Sequence, residues 1–507
     1  MTRSCDPLPP FVQALLEAAR HPAGTTTVTL VETHISWVLL ADAFAYKVKK
    51  PLKLPFLDFS TVALRKQVCD EELRLNRRFA PDIYIDVITI TGDPANPQLG
   101  GSGPVIDHAV RMWRFDEHGR LDRVCARGEL RAAHLCDLAD TLVAFHADAA
   151  VAHADTRFGS PAHILAPAID NFRDLAQLIP NPHLQQRLAS LRAWTEAEHA
   201  RLTPLMRERK AGGQVRECHG DLHLANMVLL HGRVRMFDCL EFNEDLRWLD
   251  TANEIAFTYI DLLDHGQPGL ANRFVDEVLS RNGDYAAAPL LRFYAVYRAL
   301  VRAKVAAIRH GQTADTHDAH AAHACITQAE KLAAPAPLRL IITHGLSGCG
   351  KTVASSQTLQ RDPYARTLRV RSDVERKRLH GLARSEHSRS GTDTGIYTAD
   401  AHARTYQRLA DLARTVMQAG WSVVVDAAFL KRSERDTFRT LAREYQAQFA
   451  ILAPQADPDV LRERIVARQR AGQDASEATV EVLERQRQWI EPLQDDELAL
   501  RLDVPQH

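Results

Sequence analysis

Leu338–Thr352 reads LRLIITHGLSGCGKT. A short apolar run ends at His344, and Gly345, Gly348 and Gly350 follow. Such a run is a buried strand, and glycines without a Cβ let successive backbone N–H groups wrap phosphate oxygens. Lys351 and Thr352 complete the spacing GxxxxGK[ST]. In this P-loop pattern Gly345, Leu346, Ser347, Gly348, Cys349 and Gly350 form the cradle. Lys351 is expected to reach the β/γ-phosphates and Thr352 to ligate Mg²⁺. A helix beginning near Lys351 adds the positive end of its dipole. The ligand this implies is MgATP.

Strands and helices alternate beyond the loop. LRLIITH, TLRVRS, WSVVVDAA and QFAILA are separated by helical stretches, so residues 338–507 are expected to form a parallel α/β domain. An acid at the C-terminal end of such a strand faces the ligand crevice. VRSDVERKRLHG puts Asp373 there, as the candidate base for a substrate hydroxyl. Arg376, one helical turn on, would hold substrate or phosphate. Asp426 ends WSVVVD; it reads as a support for Mg²⁺ through water, a substrate contact, or an ordinary turn residue. In LRERIVARQRAGQDASEA, Arg464 and Arg468 are four residues apart, so one helical face could close over a transferring phosphate.

Upstream, KLAAPAPLR (331–339) has the prolines and small residues of a linker, placed at 333–337. The chain before it, 1–332, divides at about residue 115. The first part reads as strands with one helix: TTVTLVETH, SWVLLADAFAYKVKK, IYIDVITI and IDHAVRMWRF, with THIS a turn and GDPANPQLGGSGP a loop. STVALRKQVCDEELRLNRRFA is the helix, with Ser60 a candidate cap. From about 116 to 332 the pattern is helical, interrupted by VRECHGDLHLANMVLLHGRVRMFDCLEF (215–242). There His219-Gly220-Asp221 opens a loop, Asn226 follows, and a hairpin turning at His231-Gly232 returns Asp238 towards them. Two carboxylates and an amide on one spot suit one base and two Mg²⁺ ligands for phosphoryl transfer.

At 507 residues the chain has room for about three compact units. A formal net charge of −1 and a pI of about 7.1 supply no global basic field for nucleic acid. The N-terminal sequence lacks a signal-peptide pattern, and no apolar run approaches the roughly 18 residues of a membrane span. A cytoplasmic location is the expectation. The eight cysteines form no CxxC pair and are expected to be free thiols. His317, His320 and His323 recur at three-residue spacing, which suits a metal site but more often marks a helix surface.

Two family resemblances follow from these residues. P-loop, S-D-x-x-R, a strand ending in Asp and an Arg-rich lid followed by D-x-S resemble the P-loop kinases that include gluconate kinase, the zeta toxins and phage polynucleotide kinase. The likeness spans about 338–500 and implies phosphoryl transfer to a hydroxyl, with Asp373 as base and Arg468 as lid arginine. H-G-D-L-H-x-x-N followed by a strand ending in Asp is similar to the aminoglycoside phosphotransferase and choline kinase group of the protein-kinase-like fold. That likeness covers about 25–330. It implies Asp221 as catalytic base, Asn226 and Asp238 as magnesium ligands, His219 and His223 as loop supports, and Asp250 as a buried scaffold residue. It also requires a small-lobe lysine paired with a helix glutamate. FAYKVKKP offers Lys47 and Lys49, CDEELRLNRR offers Glu71 and Glu72, and Lys47 with Glu72 is the preferred pair. No Gly-rich loop precedes them, so ETHISW would have to cover the phosphates. The order of the two parts resembles a bacterial fusion labelled bifunctional aminoglycoside phosphotransferase/ATP-binding protein.

The fold class expected is a bilobal α+β protein-kinase-like domain (small lobe about 1–115, helical lobe about 116–332) followed by an α/β P-loop kinase domain (338–507). Three functions compete. In the first, both domains transfer the γ-phosphate of ATP to small-molecule hydroxyls, anionic ones in the C-terminal case. In the second, the P-loop domain is an ATP-dependent switch on a weakly active kinase-like domain. The third is a nucleic-acid-end kinase, suggested by the basic run Arg369, Arg371, Arg376, Lys377 and Arg378; it ranks last. No membrane partner is expected.

Overall fold

A computed structural model of the chain describes residues 8–22, 25–54, 57–390, 394–471 and 475–503. Cys5, Asp474 of the D-x-S segment and part of the Gly381–Thr405 stretch lie outside these residues.

The N-terminal part opens with a six-stranded antiparallel sheet. Its strands are β1 (Val28–Glu32), β2 (Ser36–Ala41), β3 (Phe44–Lys49), β4 (Tyr84–Asp93), β5 (Asn96–Leu99) and β6 (Val105–Trp113), in the order β1-β2-β3-β6-β4-β5. SWVLLADAFAYKVKK is thus two strands, not one. Asp42 has φ +46°, and this left-handed residue turns the chain back on itself. The loop expected at 92–104 contains β5. One face of the sheet is dry: Trp37, Leu39, Tyr46, Val48, Ile90 and Ala109 form a core with Val12 and Leu15.

Helix α1 (Val62–Asn76) packs beside this sheet. Its cap is Thr61, whose hydroxyl accepts from Leu64 N at 3.2 Å. Ser60, the residue expected there, instead donates its hydroxyl to Asp58 at 2.6 Å. Helical segments follow, among them Ala132–Asp148, Pro161–Leu178 and Pro182–Ala211. The expected hairpin is present as β7 (Met227–Leu230) and β8 (Arg233–Met236), paired in register from Met227↔Met236 to Leu230↔Arg233. His231 and Gly232 both have positive φ, 50° and 76°, which is the turn whose twist matches two flanking strands. Helix α2 (Thr251–Asp264) runs behind this segment. The N-terminal part thus joins a small lobe of sheet plus one helix to a helical lobe carrying the hairpin.

The C-terminal part is a five-stranded parallel sheet, β9 (Arg339–Thr343), β10 (Thr367–Arg371), β11 (Ser422–Asp426), β12 (Gln448–Leu452) and β13 (Arg501–Leu502), ordered β10-β11-β9-β12-β13. The middles of the central strands, Leu340, Ile341 and Ile342 and Val423, Val424 and Val425, are apolar and buried, as a sheet covered on both faces requires.

Packing does not divide the chain at the expected 333–337 linker. One compact unit contains the chain up to Arg192, His199–Asp261 and Val301–His323; the other contains Ala193–Glu198, Leu262–Leu300 and everything from Ala324 on. The reason is visible at β10, the edge of the parallel sheet. Its outward N–H groups at Thr367 and Arg369 are accepted by Asn272 (3.0 Å) and Asp276 (2.7 Å), one turn apart on helix α3 (Pro268–Asn282). Tyr285 donates its hydroxyl to Arg369 O at 2.9 Å. An exposed strand edge is a liability for aggregation; here side chains from upstream helices satisfy it. The linker itself is fastened, since Arg366 donates to Ala334 O at 2.9 Å.

Candidate active sites

In the first unit Lys47 and Lys49 lie on one face of β3, as alternation demands. The structure resolves the choice between them by using both. Glu72, fully buried on α1, takes Lys47 Nζ on Oε1 at 2.8 Å and Lys49 Nζ on Oε2 at 2.5 Å. Lys47 also pairs with Asp238, and Lys49 with Glu241, three residues further on. Glu71 is engaged elsewhere, by Arg74 and Arg247, each at 2.7 Å. Burial alone would lower the Lys47 ammonium's pKa, but Asp238 and Glu72 outweigh it and hold it well above the ordinary lysine range. Burial would likewise raise Asp238, and Lys47 holds its carboxyl below the ordinary value. Asp238 has φ +63° and donates its N–H to the Tyr84 hydroxyl at 3.1 Å.

Asp221, Asn226 and Asp238 converge as the hairpin requires. Asn226 Nδ2 donates to Asp221 Oδ2 at 3.1 Å and to its carbonyl at 3.0 Å. His223 Nε2 stands 3.3 Å from Asp221 Oδ2; burial opposes its protonation, yet Asp221 raises its pKa above the usual imidazole value. His219 is fully buried, lowered by that burial, and its Nε2–H donates to Phe237 O at 2.9 Å. A Cβ on Gly220, which has φ +86°, would meet Leu246 O at 2.7 Å. Glycine is therefore obligatory one residue before the candidate base.

What fixes this loop was not read from the sequence. Three polar side chains on one stripe of α2 grip its backbone. Glu254 Oε1 accepts from His219 N (2.6 Å) and Gly220 N (2.9 Å), Thr258 donates to Leu222 O (2.8 Å), and Asp261 Oδ2 accepts from Leu224 N (2.7 Å). The spacing 254, 258, 261 along one stripe of a largely apolar helix is the signal that could have revealed them. Asp250, expected as scaffold, serves a neighbouring joint: Arg209 clasps it through two contacts of 2.8 Å, and it caps α2 at Ala252 N. Glu254 also takes His146 Nε2 at 2.7 Å. Cys218 lies near this pair, its Sγ donating to Leu249 O at 3.6 Å, and burial pushes its thiol far up. The β1–β2 connection, expected to cover the phosphates, is Thr33–Ile35, closed by Thr33 N donating to Ser36 O at 2.9 Å.

In the second unit a cavity of about 1170 Å³ is lined by the P-loop residues Ser347, Gly348, Gly350, Lys351 and Thr352 and by Asp373, Arg376, Asp426, Arg464 and Arg468. All the expected chemistry therefore meets in one place. The loop joins β9 to helix α4 (Lys351–Gln360). A Cβ on Gly348 (φ +85°) would sit 2.9 Å from Leu461 O, so the lid backbone can close on this residue only because it is glycine. Lys351 Nζ donates to the carbonyls of Gly345 (2.9 Å) and Leu346 (2.8 Å). Arg369 ties α4 to the edge strand, donating to Ser356 Oγ at 2.7 Å and pairing with Asp276 at 3.3 Å.

Asp373 opens helix α5 (Ser372–Leu379), directly after β10. Arg376 contacts it at 3.2 Å and stacks over Tyr397, 5.2 Å from the ring centre. Burial would raise the Asp373 carboxyl, but Arg376 and Arg371 hold it below the ordinary carboxylate value. Asp426 accepts from Ser355 Oγ at 3.3 Å and lies 3.7 Å from Arg371. On the lid helix α6 (Pro458–Ala471), Arg464 donates to Gly348 O and Arg468 to Ala478 O, at 3.3 and 3.2 Å. The buried Nε atoms of Arg376 and Arg468 have no hydrogen-bond partner among the described residues. Orphaned guanidinium donors in a cavity beside a P-loop suit an anionic group. The oxygen donors Thr352 and Asp426 here, and Asn226 and Asp238 in the first unit, are the kind a hard divalent cation prefers.

Three other features read from the sequence do not add sites. The basic run 369–378 is internally paired: Arg369 with Asp276, Lys377 with Glu477 at 3.0 Å, and Arg378 with Glu375. His320 and His323 turn Nδ1 onto their own helix carbonyls at Thr316 and Ala319, and the three histidines form no ligand cluster. None of the seven described cysteines is in a disulfide. Among the described residues no helix is long and apolar enough to cross a membrane.

Residues 340–493 match a family model described as an AAA domain. An uncharacterized protein of Mycobacterium tuberculosis is 29% identical over 465 residues, covering 90% of each chain. A choline/ethanolamine kinase family protein from Mesorhizobium loti is similar in structure over 64% of this chain and 94% of its own, at 11% identity and a TM-score of 0.41. The GDP complex of aminoglycoside 2'-phosphotransferase-IIIa is similar over 63% of this chain and 97% of its own, at 10% identity and a TM-score of 0.38. The part of the chain that is similar to an AAA domain is the one that sets the GxxxxGK[ST] loop at the end of a parallel-sheet strand.

Proposed function

We propose that the protein is an ATP-dependent phosphotransferase with two kinase-type sites, each transferring the γ-phosphate of MgATP to a hydroxyl of a small molecule. The observation that carries this reading is that each unit sets an aspartate for proton acceptance, Asp221 or Asp373, beside its own phosphate- and cation-binding groups. Magnesium, held by Asn226 and Asp238 in one unit and by Thr352 in the other, would neutralise phosphate charge.

The chain's own groups do the rest. In the first unit Glu72 orients Lys47 towards the phosphates, and Asn226 fixes the Asp221 carboxylate to accept the hydroxyl proton. In the second, the N–H groups of Gly345–Thr352 and Lys351 bind phosphate oxygens. Asp373, kept ionised by Arg376, accepts the proton, while Arg376 and Arg468 offset charge on the moving group. The arginines favour an acceptor with an anionic group. Membrane partners have no place in this reading, and nucleic acid ranks last because the basic run is paired internally.

The test is incubation of the protein with MgATP and a metabolite extract, followed by untargeted detection of phosphorylated products. Asp221→Asn and Asp373→Asn should each abolish a separate product. Products unchanged by both substitutions would refute the proposal. The second reading, a P-loop switch acting on a weakly active kinase-like domain, is favoured by one observation: the turn Thr33–Ile35 contains no glycine. Nucleotide titration of Lys351→Ala and Asp238→Ala variants separates the two, because the switch requires binding that Asp238→Ala leaves untouched.

A further inference from the structure

The wall of the P-loop cavity contains an aromatic group that phosphate transfer does not use. Trp489 is 52% exposed, whereas Trp421 in the same unit is 1% exposed. An indole carries roughly 150–250 Å² of largely apolar surface, so leaving half of it in water forgoes substantial stabilisation. The other aromatic side chains lining the cavity are engaged. Tyr397 lies under Arg376, Tyr406 packs on His402 with ring centres 4.5 Å apart, and Tyr406 also meets Phe429 edge-on. Among the described residues, no ring or cation packs on Trp489.

Its position follows from its helix, α7 (Val480–Trp489). Leu483 fastens that helix to Cys349, Leu461 and Ile465. A neighbouring stripe, Val482, Arg485, Gln486 and Trp489, lines the cavity at helical spacing. Gln486 Oε1 accepts the Ser347 N–H of the P-loop at 2.8 Å. Trp489 lies three residues beyond it, roughly 4.5 Å further along the helix axis. Val353, next to Thr352, is also exposed and lines the same cavity. A nucleotide whose phosphates rest on Gly345–Thr352 projects its nucleoside away from the loop, and the cavity wall there offers an unstacked indole.

Resting on the reading of Gly345–Thr352 as a nucleotide site, we propose that Trp489 is the stacking platform for the aromatic base of that nucleotide. The base is held by its π-face, and Gln486 sets the distance between platform and phosphate loop. Trp489 is a binding residue for the nucleoside and takes no part in proton transfer.

The full-length protein is titrated by calorimetry with ATP and with inorganic tripolyphosphate, which has the phosphates and no base. The binding component removed by Lys351→Ala is the one that belongs to the P-loop. Trp489→Ala should weaken that component for ATP about tenfold, in line with a lost base–aromatic stack, and leave tripolyphosphate unchanged. Trp489→Phe should retain most of the ATP affinity while abolishing the ATP-dependent quenching of tryptophan emission. ATP affinity unchanged in Trp489→Ala would overturn the proposal. Equal losses for ATP and tripolyphosphate would overturn it too, since the indole would then act on the loop rather than the base. If Lys351→Ala removes no component at all, the P-loop reading itself fails, a result distinct from either of these.

Discussion

Glu254 is the residue on which the first site's geometry turns, and replacing it is the sharpest test of that site. Its carboxylate accepts two backbone N–H groups, His219 at 2.6 Å and Gly220 at 2.9 Å, and takes His146 on its other oxygen. All of these groups are buried. Glu254→Ala leaves both amides without an acceptor. At about 1.5–3 kcal/mol for each hydrogen bond to a charged group, the loss is about 3–6 kcal/mol, against a typical domain stability of about 5–15 kcal/mol. Glu254→Gln keeps an amide oxygen in place of Oε1 but loses the charge and turns an NH2 group towards His146 Nε2, so it should cost about 1–3 kcal/mol. Urea unfolding followed by circular dichroism measures both. The loop lies immediately before Asp221, and a displacement of about 1 Å can cost roughly 100-fold in rate. Folded Glu254→Gln protein should therefore keep measurable N-terminal activity, and Glu254→Ala should lose nearly all of it at temperatures where it remains folded. The Glu254 carboxyl is held below its ordinary value: burial raises it, but His146 and the loop amide at Gly220 outweigh that. A depressed folded-state pKa contributes stability above the unfolded value of 4.5, and that stability fades as pH falls through the folded value. Wild type should thus lose stability in acid more steeply than Glu254→Gln. An alanine variant with wild-type stability and activity would refute this account of the loop.

Further outcomes follow from the same structure. Lys49→Met leaves Glu241 buried without its partner and should cost about 3–5 kcal/mol in urea unfolding, while Lys49→Met with Glu241→Leu should recover most of it. Arg376→Met removes the strongest attraction holding Asp373 below 3.8, so the acid limb of the C-terminal activity should move to higher pH; a limb unmoved in that variant would remove Asp373 as base. Expression of 338–507 alone strips Asn272, Asp276 and Tyr285 from the edge strand, and that fragment should aggregate where one restoring the upstream helices stays dispersed in light scattering.

Local grammar in the sequence carried much of this. The P-loop pattern is a contiguous string whose glycines, lysine and threonine each have one job, so it survives reading without a fold. The hairpin at His231-Gly232 is equally local: two residues that tolerate positive φ between alternating apolar runs. Asp221, Asn226 and Asp238 came together because a short hairpin leaves its ends nowhere else to go. The two-residue alternation also put Lys47 and Lys49 on one face, although it could not say that a single glutamate would take both.

What escaped reading was set by pairing across distance. Nothing near Glu254 in sequence announces that the N–H donors it serves lie thirty-odd residues upstream; only the polar stripe along its helix hints at it. The interleaved packing of the two units was hidden for the same reason. Prolines and small residues at 333–337 mark where the backbone changes course, and they say nothing about which helices cover a sheet edge. Edge strand β10 needs acceptors for its outward N–H groups, and Asn272 and Asp276 supply them from a helix sixty residues before the linker. Arg369, read as part of a basic surface run, belongs to that same joint: its backbone bonds the helix and its guanidinium reaches Asp276 and the serines behind Thr352. The Arg369 charge that looked available for nucleic acid is consumed in holding the phosphate loop's helix to the edge of its own sheet. A run of arginines therefore indicates a binding surface only after the acids that could neutralise it elsewhere in the chain have been placed.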